Sequence, residues 1–206
     1  TADLGNTCIY PSLRSGGCLH IVSYEAATDG ARFEEYLSAN PIDVLKIVPS
    51  HLGALLSAAP KEERALPRKY LILGGEALTP ELAGRVGGRG EGCEVINHYG
   101  PTETTVGSVM GRVRGVEEER NGAASVPIGS PLANTEVYIR DREKEPAPVG
   151  VSGDLYIGGA GVGRGYCGSA DLTAERFIPN RFGGKGGGRV YRTGDLGRYL
   201  ADGKIE

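Results

Sequence analysis

The chain of 206 residues has no tryptophan, three phenylalanines and one methionine, Met110. A core must therefore be assembled from Leu, Ile, Val and Tyr. No apolar run approaches the ~20 residues that a membrane-spanning helix needs, and no secretory signal pattern opens the sequence. An excess of one charge is also missing. There are 23 Lys and Arg against 26 Asp and Glu, a formal net charge of −3. That balance argues against nucleic acid or an anionic membrane as a partner. Cys8, Cys18, Cys93 and Cys167 stand without CxxC or Cys/His ligand spacing. They read as small buried hydrophobes or free thiols in a reducing compartment, so a cytoplasmic location is expected.

Glycine is the abundant residue: 34 of 206, more than twice the ~7% usual in proteins. The glycines fall between strand-like runs, which suggests many turns and backbone-lined sites. Cys18 to Val22 reads as an apolar strand. Ala31 to Ala39 carries Phe33, Tyr36 and Leu37 at helical spacing, with Glu34 and Glu35 on the other face. Ile42 to Val48 is a buried strand stopped by Pro49, and Ser50 is placed to cap the helix after it. Tyr70 to Leu73 and Glu94 to Ile96 are further strands, and Thr79-Pro80 starts a helix with its cap and its first-turn proline. Strand, helix, strand, helix, strand is the rhythm of a parallel sheet.

After about Gly111 the pattern changes. Arg112 to Ala124 reads as a strand end and loop, Asp141 to Val149 as a turn between strands, and Thr173 to Phe177 as a short helix. Asp154 to Ile157 and Arg189 to Tyr191 read as strands, and Gly183 to Gly188 as a mobile loop. The expected fold class is α/β: a βαβ-type, largely parallel sheet with flanking helices (residues 1–115), then a β-rich subdomain (residues 116–206). The boundary is expected near residues 110 to 125. With no initiating methionine, and structured-looking sequence at both ends, the chain reads as an internal fragment of a larger protein.

The stretch that gathers chemistry is Val95-Ile96-Asn97-His98-Tyr99-Gly100-Pro101-Thr102-Glu103-Thr104-Thr105. A strand end runs into a Gly-Pro turn and then into hydroxyls around one carboxylate. An aromatic can stack on a base, hydroxyls can bond phosphate oxygens, and a carboxylate can hold Mg²⁺. Alone, the stretch fits a solvated polar loop about as well.

Asn-x-Tyr-Gly-Pro-Thr-Glu resembles the core motif of the adenylate-forming enzymes, specifically the adenylation domains of nonribosomal peptide synthetases. Leu73-Gly74-Gly75-Glu76-Ala77 upstream, the run Gly153 to Tyr166 downstream, and Tyr191-Arg192-Thr193-Gly194-Asp195-Leu196 near the end stand in that family's order. The resemblance implies a piece of the large N-terminal part of such an enzyme. It also implies ATP/AMP and Mg²⁺ as cofactors, and aminoacyl-AMP and pyrophosphate as products. Peptidyl carrier domains bearing phosphopantetheine and condensation domains of the same synthetase would be its partners. The family's phosphate loop, ending in Pro-Lys-Gly, and its C-terminal lid domain with the catalytic lysine are not among these residues, so the fragment is expected to be inactive alone. Two alternatives stay open: an acyl-CoA or aryl-acid ligase of the same superfamily, and a nucleotide-binding module without chemistry.

Carried over by motif, Tyr99 stacks on adenine and Asn97 bonds its edge, with Gly74, Gly75, Glu76 and Gly100 lining the nucleotide. Thr102 contacts phosphate, Glu103 binds Mg²⁺, and Asp195 accepts both ribose hydroxyls. Without the other motifs, Asp195 would read as an ordinary turn residue. Gly158 to Tyr166 reads as structural, with Arg164 in an internal ion pair. The resemblance further implies that Asp3 holds a substrate α-ammonium, a group aryl and acyl acids lack. A side-chain pocket would be lined by Leu4, Thr7, Lys46, Ile72, Gly74, His98, Val106 and Gly107. A buried lysine is costly unless paired. Lys46 could reach solvent or pair locally, and His98 could be a hydrogen-bonded core imidazole. Two potential cations in one small pocket favour another partner, a substrate side-chain carboxylate, and the combination resembles pockets that select aspartate. The relative selecting asparagine usually has Glu where His98 stands.

Overall fold

The computed structural model describes residues 3–87, 92–113, 125–183 and 188–206. The chain forms two compact units. One comprises Thr1–His98 and Arg112–Val126, the other Tyr99–Gly111 and Pro127–Glu206. Instead of one change near residue 115, the chain passes between units three times. The reason is visible in the side chains. Val126 is buried, and Val113 packs, in the first unit's core, whereas Val109 is buried in the second's.

In the first unit, β1 (Val44–Ile47), β2 (Tyr70–Gly74) and β3 (Glu94–Tyr99) run parallel. Helix α4 (Pro49–Ala58) joins β1 to β2, and α5 (Pro80–Val86) joins β2 to β3. Parallel strands need such crossovers, and their helices cover the sheet. Register and alternation then sort the residues. Leu45, Ile47, Leu71, Leu73 and Val95 share one face and pack in one core with Leu52, Leu55, Leu56 and Leu78. Lys46, Ile72, Gly74, Ile96 and His98 share the opposite face.

Three further α-helices precede β1. α1 (Asn6–Ser15) contains Pro11 and ends on Gly16 in the left-handed region, φ 73°. α2 (Tyr24–Thr28) is one short turn. α3 (Gly30–Ala39) is capped by Asp29, whose carboxylate accepts the Arg32 N–H, and buries Phe33 and Leu37 as expected. Glu34 is buried too, because its carboxylate accepts the Lys61 backbone N–H at 2.8 Å. The strand expected at Cys18–Val22 does not form. Its residues lie outside helices and strands, with Ile21 87% exposed, since a strand requires a ladder partner. Thr79 caps α5 as expected, accepting from the Leu82 N–H. Ser50 does not cap α4, because Pro49 takes the first helical position and Val48 the cap. The N–H and hydroxyl of Ser50 both donate to the Glu76 carboxylate, at 3.2 and 3.0 Å.

In the second unit, β4 (Val109–Arg112) pairs antiparallel with β5 (Ser130–Pro131). β6 (Thr135–Arg140), β7 (Gly153–Gly159), β8 (Phe177–Pro179) and β9 (Arg189–Gly197) form an antiparallel sheet in the order β6-β7-β9-β8. Val137, Ile139, Leu155 and Ile157 project onto Val109 and Ile205, the alternation of a sheet with one buried face. Helix α6 (Ala170–Arg176) starts earlier than the sequence pattern suggests. The expected loop within Arg112–Ala124 lies, from residue 114, outside the described residues, as does the centre of the loop expected at Gly183–Gly188. All four cysteines are free thiols, and Cys18 and Cys167 are exposed rather than buried. Among the described residues no helix is long and apolar enough to cross a membrane.

Candidate active site

The first unit gathers Lys46, Thr7 and His98. Lys46 Nζ donates to Thr7 Oγ1 at 2.6 Å and to His98 Nδ1 at 3.2 Å, and Thr7 Oγ1 donates to the Leu4 carbonyl at 2.9 Å. The strand register places Lys46 and His98 on one face, so the long lysine side chain reaches the imidazole. An ammonium has only donors, so His98 Nδ1 is the acceptor and its proton sits on Nε2. Burial, and then the Lys46 charge, push His98 down to about 4. The two cations expected here are therefore one cation and one neutral imidazole. Burial also lowers Lys46, opposed by the Cys8 thiol and the Asp3 carboxylate.

Asp3 begins a 3₁₀ turn with Leu4, and its Oδ2 is buried without a hydrogen-bond partner. No carboxylate lies within ion-pair distance of Lys46 among the described residues. Gly74 admits no side chain, because a Cβ would stand 2.4 Å from the His98 carbonyl oxygen. Gly75 takes φ 91°, with Leu4 and Val48 beside it. A cleft of ≈ 590 Å³ between α1, α3 and β1 reaches Thr7 and Lys46. Asp3 and His98 do not line it, so it is a neighbour of this cluster and not the cluster's own pocket.

Asn97 and Glu76, expected at adenine, have protein partners. Asn97 is 3% exposed, on the face opposite His98, and donates to the Val126 carbonyl at 2.9 Å. The Glu76 carboxylate holds Ser50 at the start of α4.

The second unit gathers the residues expected at ribose and metal. Tyr99 donates to Asp195 Oδ2 at 2.5 Å. The Asp195 N–H donates to Thr193 Oγ1 at 3.0 Å, and Thr193 donates to the Leu155 carbonyl. Burial, and then the Asp195 carboxylate, hold the Tyr99 phenol in its protonated form. Thr102 and Glu103 lie on a 3₁₀ turn, Thr102–Thr104. Thr105 and Val106 follow it in the left-handed region, both at φ 67°. That region is costly for β-branched residues. The fold holds it through Thr105 Oγ1, which donates to the Gly161 carbonyl at 2.7 Å, and the Gly107 N–H, which donates to the Thr105 carbonyl. Val106 and Gly107, expected in the side-chain pocket, form this turn. Gly100 faces it so closely that a Cβ would meet the Val106 carbonyl oxygen at 2.6 Å.

Glu103 Oε1 accepts from the Tyr166 hydroxyl at 2.6 Å, and the Tyr166 and Tyr191 hydroxyls are 3.2 Å apart. Burial raises the Glu103 carboxyl, but hydrogen bonds from Tyr166 and its own backbone, with the nearby Tyr191 hydroxyl and Arg176 charge, bring it below its ordinary value. It stays a carboxylate. Among the described residues no cluster of three or more His, Cys, Asp or Glu could hold a metal. A lone carboxylate does suit Mg²⁺, which keeps several waters and is commonly held by one or two carboxylates together with substrate phosphates. The sequence did not single out Tyr166 and Tyr191. The signals were one tyrosine closing the glycine-rich run and another opening the motif that contains Asp195. Arg164 has no ion pair among the described residues. It is exposed, and its carbonyl accepts from Arg189 Nη1.

A family model described as AMP-binding enzyme matches residues 2–167. The chain is 40% identical, over 96% of its length, to bacitracin synthase 1 of Bacillus licheniformis, of which it covers 4%. It is 39% identical, over 96% of its length, to tyrocidine synthase 3 of Brevibacillus parabrevis, of which it covers 3%. Among solved structures, the nonribosomal peptide synthetase FmoA3 (S1046A) matches 87% of the chain, with TM-score 0.76 and 28% identity, and 19% of that chain is covered.

Proposed function

The chain belongs to the AMP-binding enzymes, and from that membership we propose that it forms part of the adenylation domain of a nonribosomal peptide synthetase that activates aspartate. The substrate α-carboxylate attacks the α-phosphorus of ATP. The mixed anhydride aminoacyl-AMP forms and pyrophosphate leaves. The aminoacyl group then passes to the phosphopantetheine thiol of a carrier domain, beside condensation domains of the same cytoplasmic assembly.

Within that reading the first unit selects the amino acid. One observation carries the choice of aspartate: a buried carboxylate oxygen of Asp3 without a partner and the Lys46 ammonium stand in the same unit without bonding each other. A ligand carrying its own ammonium and a side-chain carboxylate answers both. The neutral His98 holds Lys46 through Nδ1 and leaves Nε2–H to donate. The α-ammonium partner at Asp3 favours an amino acid over an aryl or acyl acid. The second unit supplies Asp195 for the ribose, Thr102 for phosphate, and Glu103 for Mg²⁺. When bound, that ion neutralises charge on the phosphates as the anionic carboxylate attacks.

The test is pyrophosphate exchange by the complete domain across the proteinogenic amino acids, with aspartate expected to dominate. Equal use of neutral side chains would assign Lys46 to the α-carboxylate and overturn the aspartate reading. Activation of aryl acids alone would overturn the amino-acid reading. Asp195→Ala should raise the KM for ATP about tenfold with little change in the KM for aspartate, since hydrogen bonds to a charged group contribute roughly 1.5–3 kcal/mol. An unchanged ATP dependence would leave Asp195 as no more than the partner of Tyr99.

A further inference from the structure

We infer that Tyr166 and Tyr191 are positioning residues for the Glu103 carboxylate, an assignment that rests on reading Glu103 as the Mg²⁺ ligand. Glu103 sits on a 3₁₀ turn of three residues. So short a turn leaves the glutamate's rotatable bonds unconstrained, and ordering them costs entropy. Tyr166 supplies the constraint. Its hydroxyl lies 2.6 Å from Glu103 Oε1, and since a carboxylate only accepts, the single phenol proton points to Glu103. The Tyr166 oxygen is then free to accept from Tyr191 at 3.2 Å. A donor that is itself an acceptor becomes a stronger donor.

The two rings are fixed in turn. Phe177 packs against both, with centroids 5.5 Å from Tyr166 and 5.1 Å from Tyr191. Tyr191 pairs with Phe177 across β8 and β9 and is 5% exposed. The Tyr166 N–H donates to Thr173 Oγ1 at 2.9 Å.

The glycines before Tyr166 acquire a reason. A Cβ on Gly161 would meet the Thr104 carbonyl oxygen at 2.8 Å, and one on Gly165, at φ 136°, would meet Thr173 Cγ2 at 2.3 Å. The Gly163 N–H donates to the Glu103 carbonyl at 2.8 Å. The glycine run thus lies against the Glu103 turn and delivers Tyr166 to the carboxylate. Phenols suit this role better than Lys or Arg would. They orient the carboxylate without cancelling the charge that a cation needs.

The experiment measures the Kd of a non-cleavable ATP analogue for the complete domain, by calorimetry, with saturating Mg²⁺ and with EDTA. The ratio of the two reads the metal's contribution without catalysis. Glu103→Gln should bring the ratio close to one. Tyr166→Phe should reduce it about 3- to 10-fold and Tyr191→Phe about 2- to 3-fold, as for loss of a hydrogen bond to a charged group and of one behind it. The double variant should lose less than the product of the two, because one relay is broken twice. The EDTA value should stay within about twofold, since phenylalanine preserves both rings. If Glu103→Gln lowers the ratio and Tyr166→Phe does not, the assignment is overturned while the metal reading stands. A fall in EDTA affinity equal to that with Mg²⁺ would make the tyrosines structural and likewise overturn it. An unmoved ratio in Glu103→Gln would remove the metal reading itself, and the assignment with it.

Discussion

Replacing Lys46 by methionine in the complete domain is expected to lower kcat/KM for aspartate about 10²- to 10³-fold, because removing one partner of a buried charge pair costs about 2–5 kcal/mol. The side-chain volume hardly changes, so no preference for large apolar amino acids should appear. The loss has two sources. The substrate carboxylate would leave water without meeting a cation. Thr7 Oγ1 and His98 Nδ1 would also lose the donor they now share. With Lys46 gone the imidazole is relieved of the second influence that lowers it, so only burial holds it neutral. Aspartate and asparagine should then be activated at similar, low rates in pyrophosphate exchange. Retention of a strong aspartate preference would mean that the side-chain carboxylate binds elsewhere.

His98→Glu tests the other half of the cluster, and here the expected change is one of selectivity. A glutamate at this position puts a carboxylate where Nδ1 now accepts from Lys46. It would pair with Lys46 itself, which both removes the cation from the substrate and adds a like charge beside it. Asparagine, nearly the same size, would keep an amide that can donate to the new carboxylate. The kcat/KM ratio of aspartate to asparagine should fall about 10- to 100-fold, as for a repulsive charge built against one of two ligands. His98→Gln, which keeps a neutral acceptor, should move that ratio far less. If the glutamate variant leaves the ratio unmoved, His98 does not face the substrate side chain.

The contrast between these residues and their neighbours shows how far the chain could be read before its fold was known. Leu71 and Leu73, Ile47 and Val95 announce buried strands because both faces of a parallel sheet exclude water, and Thr79-Pro80 announces a helix start because its chemistry is contained in a few adjacent residues. Period and local capping need no distant partner, and neither does the order of motifs along the chain. Ser50 and Glu34 departed from expectation because their partners, Glu76 and the Lys61 N–H, stand 26 and 27 residues away. The Tyr166–Glu103 and Tyr99–Asp195 bonds join residues 63 and 96 apart, and a one-residue change of strand register would have put His98 on the core face and Asn97 beside Lys46. His98 shows the limit most clearly. Its identity and neighbourhood were legible, but its neutrality was not, since charge state follows from burial and a lysine 52 residues away. Identity and local periodicity are properties of the chain, whereas protonation, register and long-range hydrogen bonds exist only once the strands have met.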